Sequence, residues 1–361
     1  MSETLNNTKS KYYVHPSMFL GVNGKDYITF GAGQPDLAPP ENVYKDLNKF
    51  CSFKYGLVQG EKWLRSSLSK LHNMPEDNFV ITNGGSEALQ LTMLSQMYNS
   101  KNKNFLLTKP YYYSYLPLVK FSGATPKFHN LINGKLDMEK LYDDLKGSKV
   151  FLINSPANPT GSVQSVKDLK EVEKMTKELG VTLISDEVYS TLVYDGEHYS
   201  PKGDHVVTIQ SFSKTFNLCG IRVGYLYSKN KELISDIIEK KTHTSMNTSL
   251  IAQHMANEAL KAPKSFSTKQ YKIWKSRRNM IYQGMQDLGL EVYKPEGAFY
   301  VLPKVKEPAK MCHTLFHKHK VISYMGEWFG AEDRIRFSYA LNEDRIEEGI
   351  KRIGAYLKQN K

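Results

Sequence analysis

Four short apolar runs that alternate with helical patterns constrain this chain more than any other feature. They are Phe79-Val80-Ile81-Thr82, Val150-Phe151-Leu152-Ile153, Val181-Thr182-Leu183-Ile184 and Val206-Val207-Thr208-Ile209. A short, continuous apolar run reads as a strand buried on both faces, which is how strands of a helix-covered parallel sheet look. The alternation predicts the α/β class, with a doubly wound, mostly parallel sheet. Functional groups in such sheets collect beyond the carboxyl ends of the strands. The residues just after each run are therefore the candidates for chemistry.

Behind Ile209 comes Ser211-Phe212-Ser213-Lys214, with Arg222 eight residues after the lysine. A lysine amine attacks carbonyls once burial or a nearby cation lowers its pKa, while a hydroxyl and a guanidinium can grip a phosphate. Lys214, Ser211 and Arg222 together suit a phosphorylated aldehyde, and pyridoxal phosphate is the obvious candidate. Taken alone, Lys214 is one of 49 Lys+Arg, only eight of them arginine, and the average lysine is a solvated surface charge.

The other run ends single it out. Asp186 follows the third run and can pair with a protonated ring nitrogen; Tyr189, one helical turn on, can reach the ring phenolate. An aspartate capping a helix is the competing reading of the same residues. After the second run, Asn154-Ser155-Pro156-Ala157-Asn158-Pro159-Thr160-Gly161 is a turn whose two prolines rigidify the backbone, suiting Asn158 to donate to the same phenolate. After the first run, Gly84-Gly85 opens a helical pattern through Leu91, Leu94 and Met97. The backbone N–H groups of Gly85, Ser86 and Glu87 at such a junction make an anion cradle.

On these motifs, in this order and over residues 31–336, the chain resembles the fold-type I, pyridoxal-phosphate-dependent aminotransferases of class I/II. The resemblance implies that Lys214 forms the Schiff base with the cofactor, that Asp186 partners the pyridinium, and that Tyr189 and Asn158 contact the phenolate oxygen. It implies phosphate contacts from Ser211 and Arg222, ring stacking by Tyr112 in Pro110-Tyr111-Tyr112-Tyr113-Ser114-Tyr115, and substrate contacts at Gly33, Asn158 and Arg336. Arg336 matches the arginine that takes the α-carboxylate in a bidentate fork. Tyr55 matches a tyrosine that reaches the phosphate of the neighbouring subunit, which implies a homodimer. An L-amino acid donor, aspartate or aromatic, and a 2-oxo acid, 2-oxoglutarate by resemblance, are the implied substrates. Two departures are Gln34, where many relatives carry glutamate, and Ile221, where many carry tryptophan. No second arginine is assigned to a distal carboxylate.

With 361 residues and 40% hydrophobic content, the chain is expected to form two domains. The large cofactor-binding domain is placed at residues 48–270, and a smaller α+β domain combines 1–47 with 271–361, hinged near 271–288. The net charge of +12 favours anionic ligands. Lysines spread along the whole chain, without a nucleic-acid motif, speak against a nucleic-acid partner. Cys51, Cys219 and Cys312 are odd in number and widely spaced, as in a reducing compartment. No run approaches the roughly 18 apolar residues of a membrane span, and the polar start has no signal-peptide core, so a cytoplasmic location without a membrane partner is expected. His317 and His319 diverge on a helix, and no metal set is expected. The partners of a Ser-x-x-Lys acyl-enzyme are missing, and Ala88 stands where a nucleophile elbow needs glycine. A carbon–sulfur β-lyase using the same cofactor, and a non-catalytic ligand sensor on the same fold, are the alternatives.

Overall fold

The apolar runs are strands in the computed structural model, which describes residues 26–360. Among these residues the strands are β1 (Ile28–Thr29), β2 (Phe79–Thr82), β3 (Asn104–Lys109), β4 (Thr125–Asn130), β5 (Val150–Asn154), β6 (Thr182–Asp186), β7 (Val206–Ser211), β8 (Gly224–Tyr227), β9 (Tyr300–Val301), β10 (Val321–Ile322), β11 (Tyr324–Met325) and β12 (Ile335–Ser338). The α-helices are α1 (Lys62–His72), α2 (Gly85–Met97), α3 (Tyr115–Phe121), α4 (Met138–Leu145), α5 (Val166–Glu178), α6 (Phe212–Thr215), α7 (Lys231–Thr244), α8 (Leu250–Ala259), α9 (Lys264–Asp287), α10 (Pro308–His319) and α11 (Glu343–Gln359). Several helices start where a side-chain cap supplies an acceptor. Ser165 accepts from the Asp168 N–H, Asn230 from that of Leu233 and Asn342 from that of Arg345.

One seven-stranded sheet has the order β2-β8-β7-β6-β5-β3-β4. It is mostly parallel, as expected; β8 alone runs against both of its neighbours. Alternate side chains of its strands feed opposite faces. Leu152 belongs to the same buried cluster as Leu91 of α2 and Ile237 of α7, whereas Phe151 belongs to the one that holds Leu141 of α4 and Val172 of α5. Helices thus cover both faces, which is why β5 is apolar from Val150 to Ile153 with no polar interruption. Leu152 is fully buried, so Leu152→Ala is expected to lower the unfolding free energy by about 2–5 kcal/mol, read as a lower urea midpoint.

The reversed strand brings its own start to the functional edge. Gly224 pairs with both Thr82 of β2 and Ser211 of β7. A Cβ there would lie 2.6 Å from both the Gly84 carbonyl carbon and the Gly85 amide nitrogen, so only glycine lets the three segments converge.

A three-stranded antiparallel sheet, β11-β12-β9, and the parallel pair β1-β10 make up the remaining strands. Their core holds Trp274, Ile281, Phe299, Phe337 and Ile353, and includes Tyr189 and Leu192 from the segment after β6. Arg336 sits in β12 opposite Tyr324. The helical stretch expected at 271–288 falls inside α9, apart from its last residue. Residues 1–25 of the segment assigned to the smaller domain lie outside the described residues.

Candidate active site

The ends of β5, β6 and β7, the start of α2 and the strand β12 surround a cleft of about 440 Å³. Of the residues singled out in the sequence, it collects Gly33, Gly85, Ser86, Tyr112, Asn158, Asp186, Tyr189, Ser211, Lys214, Arg222 and Arg336. Segments more than 300 residues apart therefore meet in one site: the Arg336 guanidinium donates to the Gly31 carbonyl.

Each group has a defined environment. Asp186 ends β6, and its carboxylate accepts from the Tyr115 hydroxyl at 2.5 Å and from the Val188 N–H at 3.3 Å. Burial pushes its pKa up to about 6, against which the Tyr115 hydrogen bond works. Asn154 joins the neighbouring strand ends. Its amide donates to the Asp186 carbonyl at 2.9 Å and accepts from the Asn158 N–H at 2.8 Å. Arg336 then holds the Asn158 side-chain oxygen at 3.0 Å. Arg336 itself is 2% exposed, and its buried Nε has no hydrogen-bond partner among the described residues. A buried, unpaired donor is costly unless a ligand takes it.

Lys214 lies on the short α6, its amine donating to the Gly33 carbonyl and standing 3.9 Å from Cys219 Sγ. Desolvation lowers its pKa, and the charges of Arg336 and Arg222 act in the same direction. That is the condition under which a lysine becomes a nucleophile or base at neutral pH. Arg222 adopts a left-handed φ of 56° and donates to the Cys219 carbonyl at 3.0 Å and the Asn83 carbonyl at 3.4 Å. This unusual backbone turns its guanidinium against Gly84, where a Cβ would collide with it. Ser211 ends β7 and accepts from the Ser213 N–H at 3.2 Å. Tyr112 is half-buried and meets Tyr115 edge to face at 5.4 Å.

Two sequence readings change. Tyr189 sits in a turn after β6 rather than on a helix, and its hydroxyl pairs with that of Tyr300 at 2.7 Å. Glu87 does not line the cleft. Its carboxylate turns back to the Asn83 N–H at 2.7 Å and forms a 2.9 Å ion pair with Lys241, whose side chain is fully buried. A capping interaction and an internal counter-charge thus occupy the side chain, leaving Gly85 and Ser86 as the cleft-lining residues of the helix start. Tyr55 is 83% exposed and also lies away from the cleft of its own chain.

Sequence reasoning missed Tyr115, Tyr300 and Cys219 as cleft residues. For Tyr300 a signal existed in Gly33, where a Cβ would overlap the Tyr300 hydroxyl. Tyr115→Phe removes the neutral donor to Asp186, so the carboxyl is expected to titrate higher. The acid limb of the kcat/KM profile should move to higher pH, with about a tenfold or greater loss at neutral pH. A superimposable profile would show that this bond does not tune Asp186.

Comparison with known proteins decides the family. Residues 25–353 match the family described as aminotransferase class I and II. The chain belongs to that family. A probable aspartate/prephenate aminotransferase of Aquifex aeolicus is 32% identical, with 94% of this chain and 93% of that protein covered. A probable aspartate aminotransferase of Methanocaldococcus jannaschii is 30% identical over 90% and 92% of the two chains. The crystal structure of the aspartate aminotransferase of Thermotoga maritima superimposes with a TM-score of 0.89 at 28% identity, covering 96% of this chain and 98% of that one. The protein is thus a fold-type I aminotransferase, an enzyme whose cofactor is pyridoxal 5'-phosphate. Its cleft fits that group. A desolvated amine, a buried carboxylate, a helix start with a guanidinium beside it and an unpaired buried Arg336 Nε supply the donor and acceptor types the cofactor and an attached amino acid require.

Proposed function

We propose that this enzyme transfers the amino group of an L-amino acid to a 2-oxo acid, with Lys214 as the amine that anchors the cofactor and then moves the substrate proton. The reading rests on one juxtaposition: the desolvated Lys214 amine shares a cleft with the buried Arg336 guanidinium, whose Nε has no partner among the described residues. Arg336 would take the α-carboxylate, and that grip orients the Cα–H bond toward Lys214 Nζ. The bound cofactor supplies an electron sink for the electrons that this bond releases. Asp186 keeps a proton on the ring nitrogen. Asn158, its oxygen already engaged by Arg336, would offer its amide nitrogen to the ring oxygen, and Tyr189 would donate to the same atom. Tyr112 would cover the face of the ring, while Ser211, Arg222 and the N–H groups of Gly85 and Ser86 would hold the phosphate. Gly33 contributes a backbone carbonyl beside the lysine.

Relatives named as aspartate and aspartate/prephenate aminotransferases, and a solved structure named as an aromatic aminotransferase, support acidic and aromatic donors as the first to try, with 2-oxoglutarate as the first acceptor. We also propose a homodimer in which Tyr55 reaches the partner's phosphate. Its support is an exposed apolar surface, with Phe53 at 89% and Tyr55 at 83%, beside the half-exposed Leu57 and Ile251. The two-domain division into residues 48–270 and residues 1–47 with 271–361 belongs to the same proposal, as does a cytoplasmic location, which the free thiols of Cys51, Cys219 and Cys312 favour.

The deciding experiment mixes the holoenzyme with single amino acids, without any oxo acid, and follows the visible spectrum. Conversion of the bound cofactor to its amine form with one equivalent of 2-oxo acid is expected. Persistent yellow colour with accumulating pyruvate and ammonia would replace this reading with the β-lyase, and no spectral response to any amino acid would leave the ligand sensor.

A further inference from the structure

The start of α2 carries a negative charge close to where the cofactor phosphate would sit. Glu87 follows Gly85 and Ser86 in the first turn of that helix, at the same positive end that attracts a phosphate. A bare carboxylate there would repel the phosphate. Lys241 of α7 answers it: the amine lies 2.9 Å from Glu87 Oε2 and donates to Ser245 Oγ at 3.0 Å, and the side chain is fully buried. Burial lowers the Lys241 pKa against the pull of Glu87. Against its own burial, Glu87 is held below the usual carboxylate range by hydrogen bonds from Ser245 and the Asn83 N–H and by the Lys241 charge.

The same pair is linked to the arginine assigned to the phosphate. Glu87 accepts from the Asn83 N–H at 2.7 Å and from its side-chain amide at 3.1 Å, and the Asn83 carbonyl accepts from Arg222 at 3.4 Å. Asn83 directly precedes Gly84, so one carboxylate fixes both the turn into α2 and a contact of Arg222. Stability alone does not call for this arrangement, because a buried ion pair can often be replaced by apolar side chains of similar volume without loss. An apolar pair could not accept from Asn83, however, and an unpaired carboxylate could do so only by placing a net negative charge beside the phosphate cradle.

We infer that Lys241 is a positioning residue for the cofactor: by neutralising Glu87, it lets that carboxylate fix Asn83 and the turn into α2 without repelling the phosphate. The inference rests on the reading that Gly85, Ser86 and Arg222 hold the phosphate. Lys241 is buried within its own chain, so its effect on Glu87 does not depend on what a second subunit adds to the cleft.

The test titrates cofactor-free protein with pyridoxal 5'-phosphate and with pyridoxal, which lacks the phosphate, following visible absorption at about pH 8.5, where a freed carboxyl stays ionised. The wild type is expected to prefer the phosphorylated compound, and Lys241→Met to lower that preference by about 10-fold, since one uncompensated charge then acts on the phosphate. Lys241→Gln removes the same charge yet keeps a donor for Glu87; it should lower the preference equally and replaces the methionine variant if that protein does not fold. The double variant Lys241→Met/Glu87→Gln restores neutrality and should return the preference to within about threefold of wild type. Lysine variants that weaken both compounds alike, or a double variant as impaired as Lys241→Met, overturn the inference. A wild type that binds the two compounds equally is a separate outcome: it overturns the assignment of the phosphate site, and this inference with it.

Discussion

Lys214→Ala is expected to abolish transamination, with a fall of about 10⁴-fold or more in the rate of the first half-reaction, because one side chain serves as both anchor and base. The loss should be one of chemistry and not of folding. Lys214 lies on a four-residue helix in the cleft wall, and its amine contacts a carbonyl and a thiol and stands 5.7 Å from the centre of the Phe299 ring, with no buried ion pair among the described residues to lose. Cofactor should still bind, held through its phosphate by Ser211, Arg222 and the start of α2. Single-turnover measurements that follow the bound cofactor's spectrum on adding amino acid would check both halves of the statement. A variant that converts the cofactor at the wild-type rate would remove Lys214 from the mechanism.

Asp186→Asn separates stability from catalysis. In cofactor-free protein, burial raises the Asp186 pKa from 3.8 to about 6, so folding favours the protonated carboxyl. The contribution of this group is at its best below pH 3.8 and declines as pH rises toward 6, by about 3 kcal/mol in all, because each tenfold change in proton affinity is worth about 1.4 kcal/mol. Above that window the wild type carries the full cost of a buried charge. The asparagine, which is neutral throughout, does not. Cofactor-free Asp186→Asn should therefore be more stable than wild type at pH 8 and lose that advantage near pH 4, as urea midpoints at the two values would show. In the holoenzyme the same substitution removes the counter-charge that keeps the ring nitrogen protonated, and kcat should fall by about 100-fold or more. Equal kcat in the two proteins would refute the pairing.

Both predictions concern residues that were legible in the sequence, for a local reason. A strand buried on both faces shows as an unbroken apolar run, and the polar residue that ends it marks where the chain leaves the core. Asp186 and Ser211 each close such a strand. Arg336 was found by resemblance rather than by its run, since the four buried residues of β12 alternate apolar and polar. The direction of β8 was not legible: Gly224–Tyr227 is a short buried segment whose reversal depends on pairing with β2 and β7.

What remained hidden were pairings between distant side chains. The hydroxyls of Tyr189 and Tyr300 meet across 111 positions, and Lys241 reaches Glu87 across 154. Nothing within a short window of sequence distinguishes a tyrosine that will donate to a buried carboxylate, as Tyr115 does, from one that merely fills the core. Hydrophobic period, turn chemistry and helix caps act over a few residues, and so the sequence alone determined the α/β class, the four strands β2, β5, β6 and β7 marked by apolar runs, and the order of the functional loops. The tertiary structure decided the rest. It drew Glu87 away from the cleft into an internal ion pair, raised the Asp186 pKa by burying the carboxyl, and set rings around Arg336. Desolvation and side-chain contact exist only once the chain has closed on itself.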